Sequence, residues 1–287
     1  MYNKLNWVND QSPALNATNL NRMDQGIYDI HDIVYNAGFK HNNLFKEENI
    51  LASFDNGTFS TNIANGKFEN IYPGQYFTKS VTIDGTAYNV KFVVADIDTF
   101  FGGYNSYAVV NTHHVAVIAI GLPNARMNAT NTTEGGYFGS EMYTTLQTYL
   151  AAISTALGEN SIGDTHIVGH QKRYSTAINP TGYNRFGTNN GCANNWEWKE
   201  NQYISLLTDS LVYGHPVWSS SGYDTGEAHR QLSIFKAQNY NKVFGKRWVW
   251  LRDVVNSSYF AYASNSGIAV YNYASYVTYV VPLLLLK

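Results

Sequence analysis

Eight histidines, a single cysteine and scattered carboxylates are the side chains of this 287-residue chain that could move protons, hold a metal or attack a carbonyl. Two histidine pairs stand close in sequence: His113-His114, and His166 with His170 in GDTHIVGHQ. A four-residue spacing on a helix would put His166 and His170 on one face, where a metalloprotease also needs a glutamate between them. Gly163 and Gly169 oppose that helix and the glutamate is missing, so these histidines are expected to serve structure. Cys192, in NNGCANNW, has no cysteine-protease signature around it, and no nucleophile elbow is present. Glu134, Glu141, Asp164, Asp209, Asp224 and Glu227 could supply a pair for glycoside cleavage, but that chemistry depends on a separation in space. No phosphate-binding loop, dinucleotide fingerprint or EF-hand loop occurs. The residues therefore lead us to expect no enzyme activity, no cofactor and no metal.

Composition narrows the partners. With 19 Lys and Arg against 21 Asp and Glu, a net charge of -2 and no dense basic block, an electrostatic grip on nucleic acid is not expected. One cysteine excludes an intrachain disulfide and a multi-cysteine zinc site. The opening MYNKLNWVND does not read as a signal peptide, and VVPLLLLK is shorter than the about 20 apolar residues that span a bilayer, so no membrane insertion is expected. The 23 tyrosines in an Asn-, Ser- and Thr-rich background suit either of two roles. Tyrosine gives binding surfaces rigid contact area with a polar tip, and it also fills strands of a sheet-rich core.

Local patterns suggest the elements. Residues 16–38 read as a helix, capped at Asn16 or Thr18 and stopped by Gly38. Its Leu20, Met23, Ile27, Ile30 and Val34 fall three, four, three and four apart, a heptad stripe whose central isoleucines favour three or more strands. A helix lying on its own domain would show the same stripe. From Phe39 to Gly66 the chain reads as linker or short hairpins. Asp84-Gly85 between alternating runs signals a hairpin, and His114–Gly121 a buried strand. Ser140 opens a helix whose Met142, Leu146, Tyr149, Leu150, Ile153 and Leu157 share a face, and Gly158 ends it. Further helices are expected near Glu197–Tyr213 and Glu227–Gln238. In WVWLRDVV, Trp248 and Trp250 alternate with Val249 and Leu251 as in a strand, with Arg252 and Asp253 as a structural pair at its end. FAYAS, IAVYNYAS and YVVPLLLL read as short strands, giving an α+β fold class.

Several of these stretches, THHVAVIAIG, MNATNTTEGGYFGSEMY, RQLSIFKAQ and WLRDVVNSSYFAYASNSGIAVYNYAS, resemble a domain family common in tail proteins of phages that infect Gram-positive bacteria. That domain is similar to the C-type lectin-like fold of phage tropism determinants and of formylglycine-generating enzymes. The resemblance runs from about His113 to the C-terminus, and MNATNTTEGGYFGS and WLRDVVNSSYFAYAS are its most specific pieces. LNWVNDQSPALNATNLNRMDQGI resembles the opening of phage fibre and baseplate proteins. Where the family closes on Gly-Val-Arg-Pro, this chain reads YVVPLLLLK, which leaves its final strand open.

What the resemblance implies is a non-enzymatic phage tail adhesin in the virion, made in the host cytoplasm. Residues 1–40 would attach it to other tail proteins and trimerise it through Leu20, Met23, Ile27, Ile30 and Val34. Residues 41–70 would form a linker, and 71–287 a C-type lectin-like domain with many short strands and two or three helices. The ligand face would present Tyr259, Tyr262, Asn265, Tyr271, Asn272, Tyr273 and Tyr276 to a host glycan or protein, with alternate tyrosines pointing inward. The calcium-dependent sugar motifs of true C-type lectins are absent from that domain, and one cysteine argues against formylglycine chemistry. A connector that never touches the host, or a cell-wall hydrolase, are the alternatives.

Overall fold

A computed structural model describes residues 17–31, 44–102, 110–178, 193–218, 231–236 and 243–287. In chain order these form α1 (Ala17–His31), α2 (Leu51–Asp55), α3 (Thr58–Ala64), β1 (Tyr76–Ile83), β2 (Thr86–Ile97), β3 (Val115–Ile120), α4 (Glu141–Ala156), β4 (Ile167–Val168), β5 (His170–Ile178), β6 (Ala193–Gln202), β7 (Ile204–Leu206), α5 (Asp209–Tyr213), α6 (Ser233–Lys236), β8 (Val249–Val254), β9 (Tyr259–Ala263), β10 (Ala269–Tyr273) and β11 (Pro282–Leu286). The six helices and eleven strands make a mixed α and β fold in which every pairing between strands is antiparallel.

Asp84 and Gly85 take φ of 49° and 77°, the left-handed pair that a two-residue hairpin turn demands, and Ile83 lies opposite Thr86. β3 follows as expected and pairs with β2. The last strand, β11, then runs between β3 on one side and both β4 and β7, laid end to end, on the other. A strand in that position is covered on both faces, so it reads as a continuous apolar run instead of an alternation. Leu284 and Leu286 enter one core with Val115, Val117 and the buried face of α4. Leu283 and Leu285 enter a second core with Ala116, Ile118, Leu211 and Phe235. The final strand left open by YVVPLLLLK is thus present.

α4 matches its expected cap and face. Ser140 Oγ accepts from the Tyr143 amide at 3.2 Å, and Met142, Leu146, Tyr149, Leu150 and Ile153 are buried. Two other expectations are corrected. Glu197–Tyr213 is not one helix. Its first part belongs to β6, whose Glu197 and Trp198 pair with Tyr174 and Arg173 of β5, and only Asp209–Tyr213 is helical, capped by Thr208. Cross-strand pairing there overrides the helix preference of Glu and Lys. Residues 50–68, expected as linker or hairpins, carry α2 and α3, and Phe54, Phe59, Ile63 and Phe68 are buried in the first core. Phe54 stacks on Phe77 of β1 at 4.1 Å, which ties this segment to the main sheet. Of Glu227–Gln238, the described part is helical at Ser233–Lys236.

α1 is a helix, as expected, with Leu20, Ile27 and Tyr28 exposed. Val34 lies outside the described residues.

Strands β8, β9 and β10 form a second sheet, in the order β10-β9-β8. Alternation again sends its two faces to two cores: Trp250, Phe260 and Tyr262 to the first, Val249, Leu251, Ala261 and Ala263 to the second. Residues 127–133 brace this sheet from outside. The Met127 amide donates to Ala274 O, the Thr133 hydroxyl donates to Asn256 O at 2.7 Å, and Asn131 accepts from the Ser275 hydroxyl at 2.6 Å. Gly136 is a steric requirement: at φ of 63°, a Cβ there would sit 2.5 Å from Ser175 O.

Buried carboxylates set the position of the loop beneath β10. Asp253 accepts from the Asp209 amide at 2.7 Å, and Asp209 accepts from the amides of Val217 and Trp218 at 2.9 and 2.6 Å. Trp218 then meets the Tyr271 ring edge-on at 5.3 Å. Because these are charge-assisted bonds made out of water, Asp209→Ala is expected to cost about 2–4 kcal/mol in urea unfolding. Glu134→Ala, on an exposed turn, should change stability by less than about 0.5 kcal/mol.

Candidate functional site

The histidines are set in separate surroundings. His114 is satisfied: Nδ1 donates to Thr112 O and Nε2 accepts from the Phe100 amide at 3.1 Å, which fixes its tautomer. His113 Nδ1 lies 2.8 Å from Oδ2 of Asp98, whose other oxygen takes the His114 amide. Phe101 stacks on the His113 ring at 4.2 Å. A carboxylate-oriented imidazole is how a general base is held, but no hydroxyl or thiol among the described residues bonds to Nε2 to be activated. His166 sits in the loop before β4, against Ser60, and His170 on β5, so they share no helical face.

His170 is the unusual one. It is buried against Phe100 at 4.7 Å, and neither ring nitrogen has a hydrogen-bond partner among the described residues. Burial first, then the charges of Lys172, His114 and Arg252 around it, push its pKa well below the usual 6.5. The ring is therefore neutral in the folded chain.

The candidate carboxylates serve structure or lie apart. Glu141 pairs with Arg126 at 3.2 Å, Asp164 caps the turn at Asn160 and Ser161, and Asp209 is the buried anchor described above. Asp224, Glu227 and Cys192 lie outside the described residues. Among the described residues no three His, Cys, Asp or Glu side chains group as a metal site would require. A recess of about 250 Å³ is lined by Phe45, Gly74, Lys91, Val93, Ile234 and Arg247. Its cations are already engaged, Lys91 over the Tyr76 ring at 3.6 Å and Arg247 over Tyr279 at 4.7 Å.

Exposed apolar surface gathers elsewhere. Of the thirteen large hydrophobic residues exposed among the described ones, seven lie within residues 248–279: Trp248, Ile268, Tyr271, Tyr273, Tyr276, Val277 and Tyr279, each between 37% and 62% accessible. They lie on β10 (Tyr271 and Tyr273), in the turn before it (Ile268), in the chain after it (Tyr276, Val277 and Tyr279) and just before β8 (Trp248). β10 places Tyr271 and Tyr273 on one face, with Tyr259 opposite Tyr273 in register and its ring 4.5 Å away. A hydrogen bond with Tyr273, then burial, raises the Tyr259 pKa above 10.0. On the other face lies Tyr262, buried, with Trp248 stacked on it at 5.1 Å and Tyr276 edge-on at 6.4 Å. Burial raises the Tyr262 pKa, against the opposing effect of hydrogen bonds with Thr278 and Asn272.

Of the seven expected ligand-face residues, the structure thus exposes Asn265, Tyr271, Tyr273 and Tyr276, half-buries Tyr259 and Asn272, and buries Tyr262. Asn265 stands at the tip of the β9–β10 hairpin, where Ser264 Oγ takes the Ile268 amide. Asn272 turns its side chain onto the Tyr273 amide at 2.8 Å, which occupies one donor beside the strand. Sequence reasoning missed Trp248 and Tyr279 as members of this surface. It also passed over a signal in plain view: from Val254 to Leu286 there is no Asp, Glu, Lys, Arg or His.

No protein-family model matches the chain, and neither a curated protein nor a solved structure matches it.

Two measurements check this geometry. Tyr262→Ala removes a buried ring and should cost about 3–5 kcal/mol, whereas Tyr273→Ala and Tyr276→Ala should stay within about 0.5 kcal/mol in chemical denaturation. His170 is neutral when folded but takes up a proton near pH 6.5 when unfolded, so its contribution is intact at alkaline pH and is lost as pH falls below that value, by about 1.4 kcal/mol per pH unit. His170→Leu should match or exceed the parent stability at pH 8 and lose less of it at pH 5, as read by paired melting curves.

Proposed function

We propose that the chain is a phage tail adhesin that binds a receptor on the host cell surface through the Tyr-, Asn- and Ser-rich edge at residues 248–279. The observation that carries this reading is the concentration of exposed aromatic side chains on and beside the β8–β10 sheet, most of them within a stretch, Val254 to Leu286, that has no Asp, Glu, Lys, Arg or His. Isolated exposed apolar residues are ordinary, but groups of them, here one on each face of the sheet, are a feature of contact surfaces. Tyrosine suits such a surface because its ring is rigid and its hydroxyl keeps it wettable. The domain is of C-type lectin-like type, residues 71–287, with α2 and α3 added to its core. In support, the segment of the resemblance begins at β3 and ends at β11, and those two strands pair, so the segment closes on itself. Its two most specific pieces also meet, at Thr133 and Asn256.

The N-terminal residues 1–40 carry this domain in the virion, alongside other tail proteins, and associate with two further copies of themselves through Leu20, Met23, Ile27, Ile30 and Val34. The exposure of Leu20 and Ile27 supports that assembly, since a heptad stripe is complementary to its own copy. The protein works by binding, without catalysis.

Deleting residues 249–287 would not test this, because β11 is central to the main sheet and the fold would be lost. Point substitutions keep the frame. Purified protein mixed with a panel of Gram-positive bacteria and sedimented with the cells should bind some strains. The double variant Tyr271→Ala/Tyr273→Ala should bind them at least about 30-fold more weakly with its melting temperature preserved, as expected when a hot spot worth about 2 kcal/mol is lost. Unchanged binding by stable variants of Trp248, Tyr271, Tyr273 and Tyr276 would favour a connector that does not touch the host.

A further inference from the structure

We infer that the ligand of this edge is an uncharged glycan, and that Trp248 is the platform on which one of its sugar rings stacks. The inference rests on the adhesin reading and goes further by naming the ligand's chemistry. Trp248 lies nearly parallel to Tyr262, at 5.1 Å and 22° between planes, so one face of the indole is covered; the residue is still 40% accessible. The platform is fixed before any ligand arrives. Trp248 O accepts from the Thr278 hydroxyl at 2.8 Å, Val249 bridges to Tyr279, and Tyr262 beneath is held by Thr278 and Asn272. Tyr276 stands edge-on beside Tyr262 and is exposed, which brings a hydroxyl to the rim of the platform.

A pyranose ring has an apolar patch of C–H groups ringed by hydroxyls. The patch packs on an aromatic plane, and the hydroxyls need donors and acceptors at its border, which Tyr hydroxyls and Asn amides supply. The scarcity of charge, with none between Val254 and Leu286, then selects among glycans and against other ligands. From Val254 to Leu286 no ionisable acid or base other than tyrosine occurs; of the cations before it, Arg252 is buried over the Tyr174 ring, Arg247 is set against the Tyr279 ring, and Lys246 is exposed. A phosphate- or carboxylate-bearing polymer would call for Arg or Lys, and nothing in this stretch could bridge a sugar through a cation, because it has no Asp, Glu or His. Protein partners are commonly held with arginine in the contact and charges around the rim, whereas here Val254 to Leu286 supplies none and the neighbouring arginine, Arg247, is set against the Tyr279 ring.

The test uses the full-length protein and cells of a strain that it binds, divided into portions treated with periodate, which cleaves sugar diols, or with protease. Binding should fall at least tenfold after periodate and persist after protease. It should also persist in about 0.5 M NaCl, where the Debye length is only a few ångströms, and in chelator. Trp248→Ala should lose binding at least tenfold with an unchanged melting temperature, and Trp248→Tyr, which restores a flat ring, should recover part of it. Loss of binding to protease with resistance to periodate would overturn the glycan inference in favour of a protein receptor while leaving the adhesin reading intact, and loss in salt would overturn it in favour of an anionic polymer. Full binding by Trp248→Ala would overturn the platform. Failure of the parent protein to bind any of the bacteria would remove the adhesin reading itself and the inference with it.

Discussion

Strand β11 has no face turned to water. It lies between β3 and the β4–β7 pair, with Leu284 and Leu286 in one core and Leu283 and Leu285 in the other. Each leucine buried there is worth about 1.5–3 kcal/mol, so the strand is a large part of what closes the domain. Its position also explains why the excursion from β3 through α4, the β5–β6 pair and the β8–β10 sheet can be long. The two ends of that excursion are locked together at its base, and loops held by such a base can vary without unfolding it.

The second sheet inherits its position from this closure. Trp250 donates its amide to Tyr279 O and its indole N–H to Ala125 O, so β8 is fixed at once to the turn before β11 and to the chain leaving β3. Arg252 and Asp253, one turn of pleat further on, are both buried. The guanidinium lies over the Tyr174 ring at 4.9 Å, and the carboxylate begins the chain of bonds through Asp209 to Trp218 and so to Tyr271. Buried charges gain little stability over an apolar replacement, but they fix direction well, and here the thing directed is the underside of the aromatic edge.

How much of this could be read beforehand depended on whether the signal was local. The Asp84-Gly85 turn, the Ser140 cap with its α4 face, and the alternation in WVWLRDVV depend on neighbours in sequence, and each is found in the structure. Glu197–Tyr213 failed because β6 is held by a partner strand, β5, that sequence alone does not place opposite it. Residues 50–68 failed for a related reason: Asn and Gly suggested a linker, while Phe54, Phe59 and Ile63 answered to Phe77 in a distant strand. At the site, the tyrosines were legible as a group and not as individuals. Which of them points outward is set by the register of β10 on β9, where Tyr262 shares the inward face with Phe260. Trp248 escaped notice because it resembles a strand residue, yet β8 begins one position later and leaves the indole at the margin.

The claim on which these points converge is that residues 248–279 are a contact surface carried by a frame that does not itself touch the ligand. Hydrogen–deuterium exchange of the full-length protein, with and without solubilised cell-wall polysaccharide from a bacterium with which it is found to sediment, tests this most directly. The account predicts slowed exchange in the β9–β10 tip and in residues 273–280, with β3, α4 and β11 unchanged. Protection confined to β1, β2 or the loop at residues 159–166, with none around β10, would contradict it.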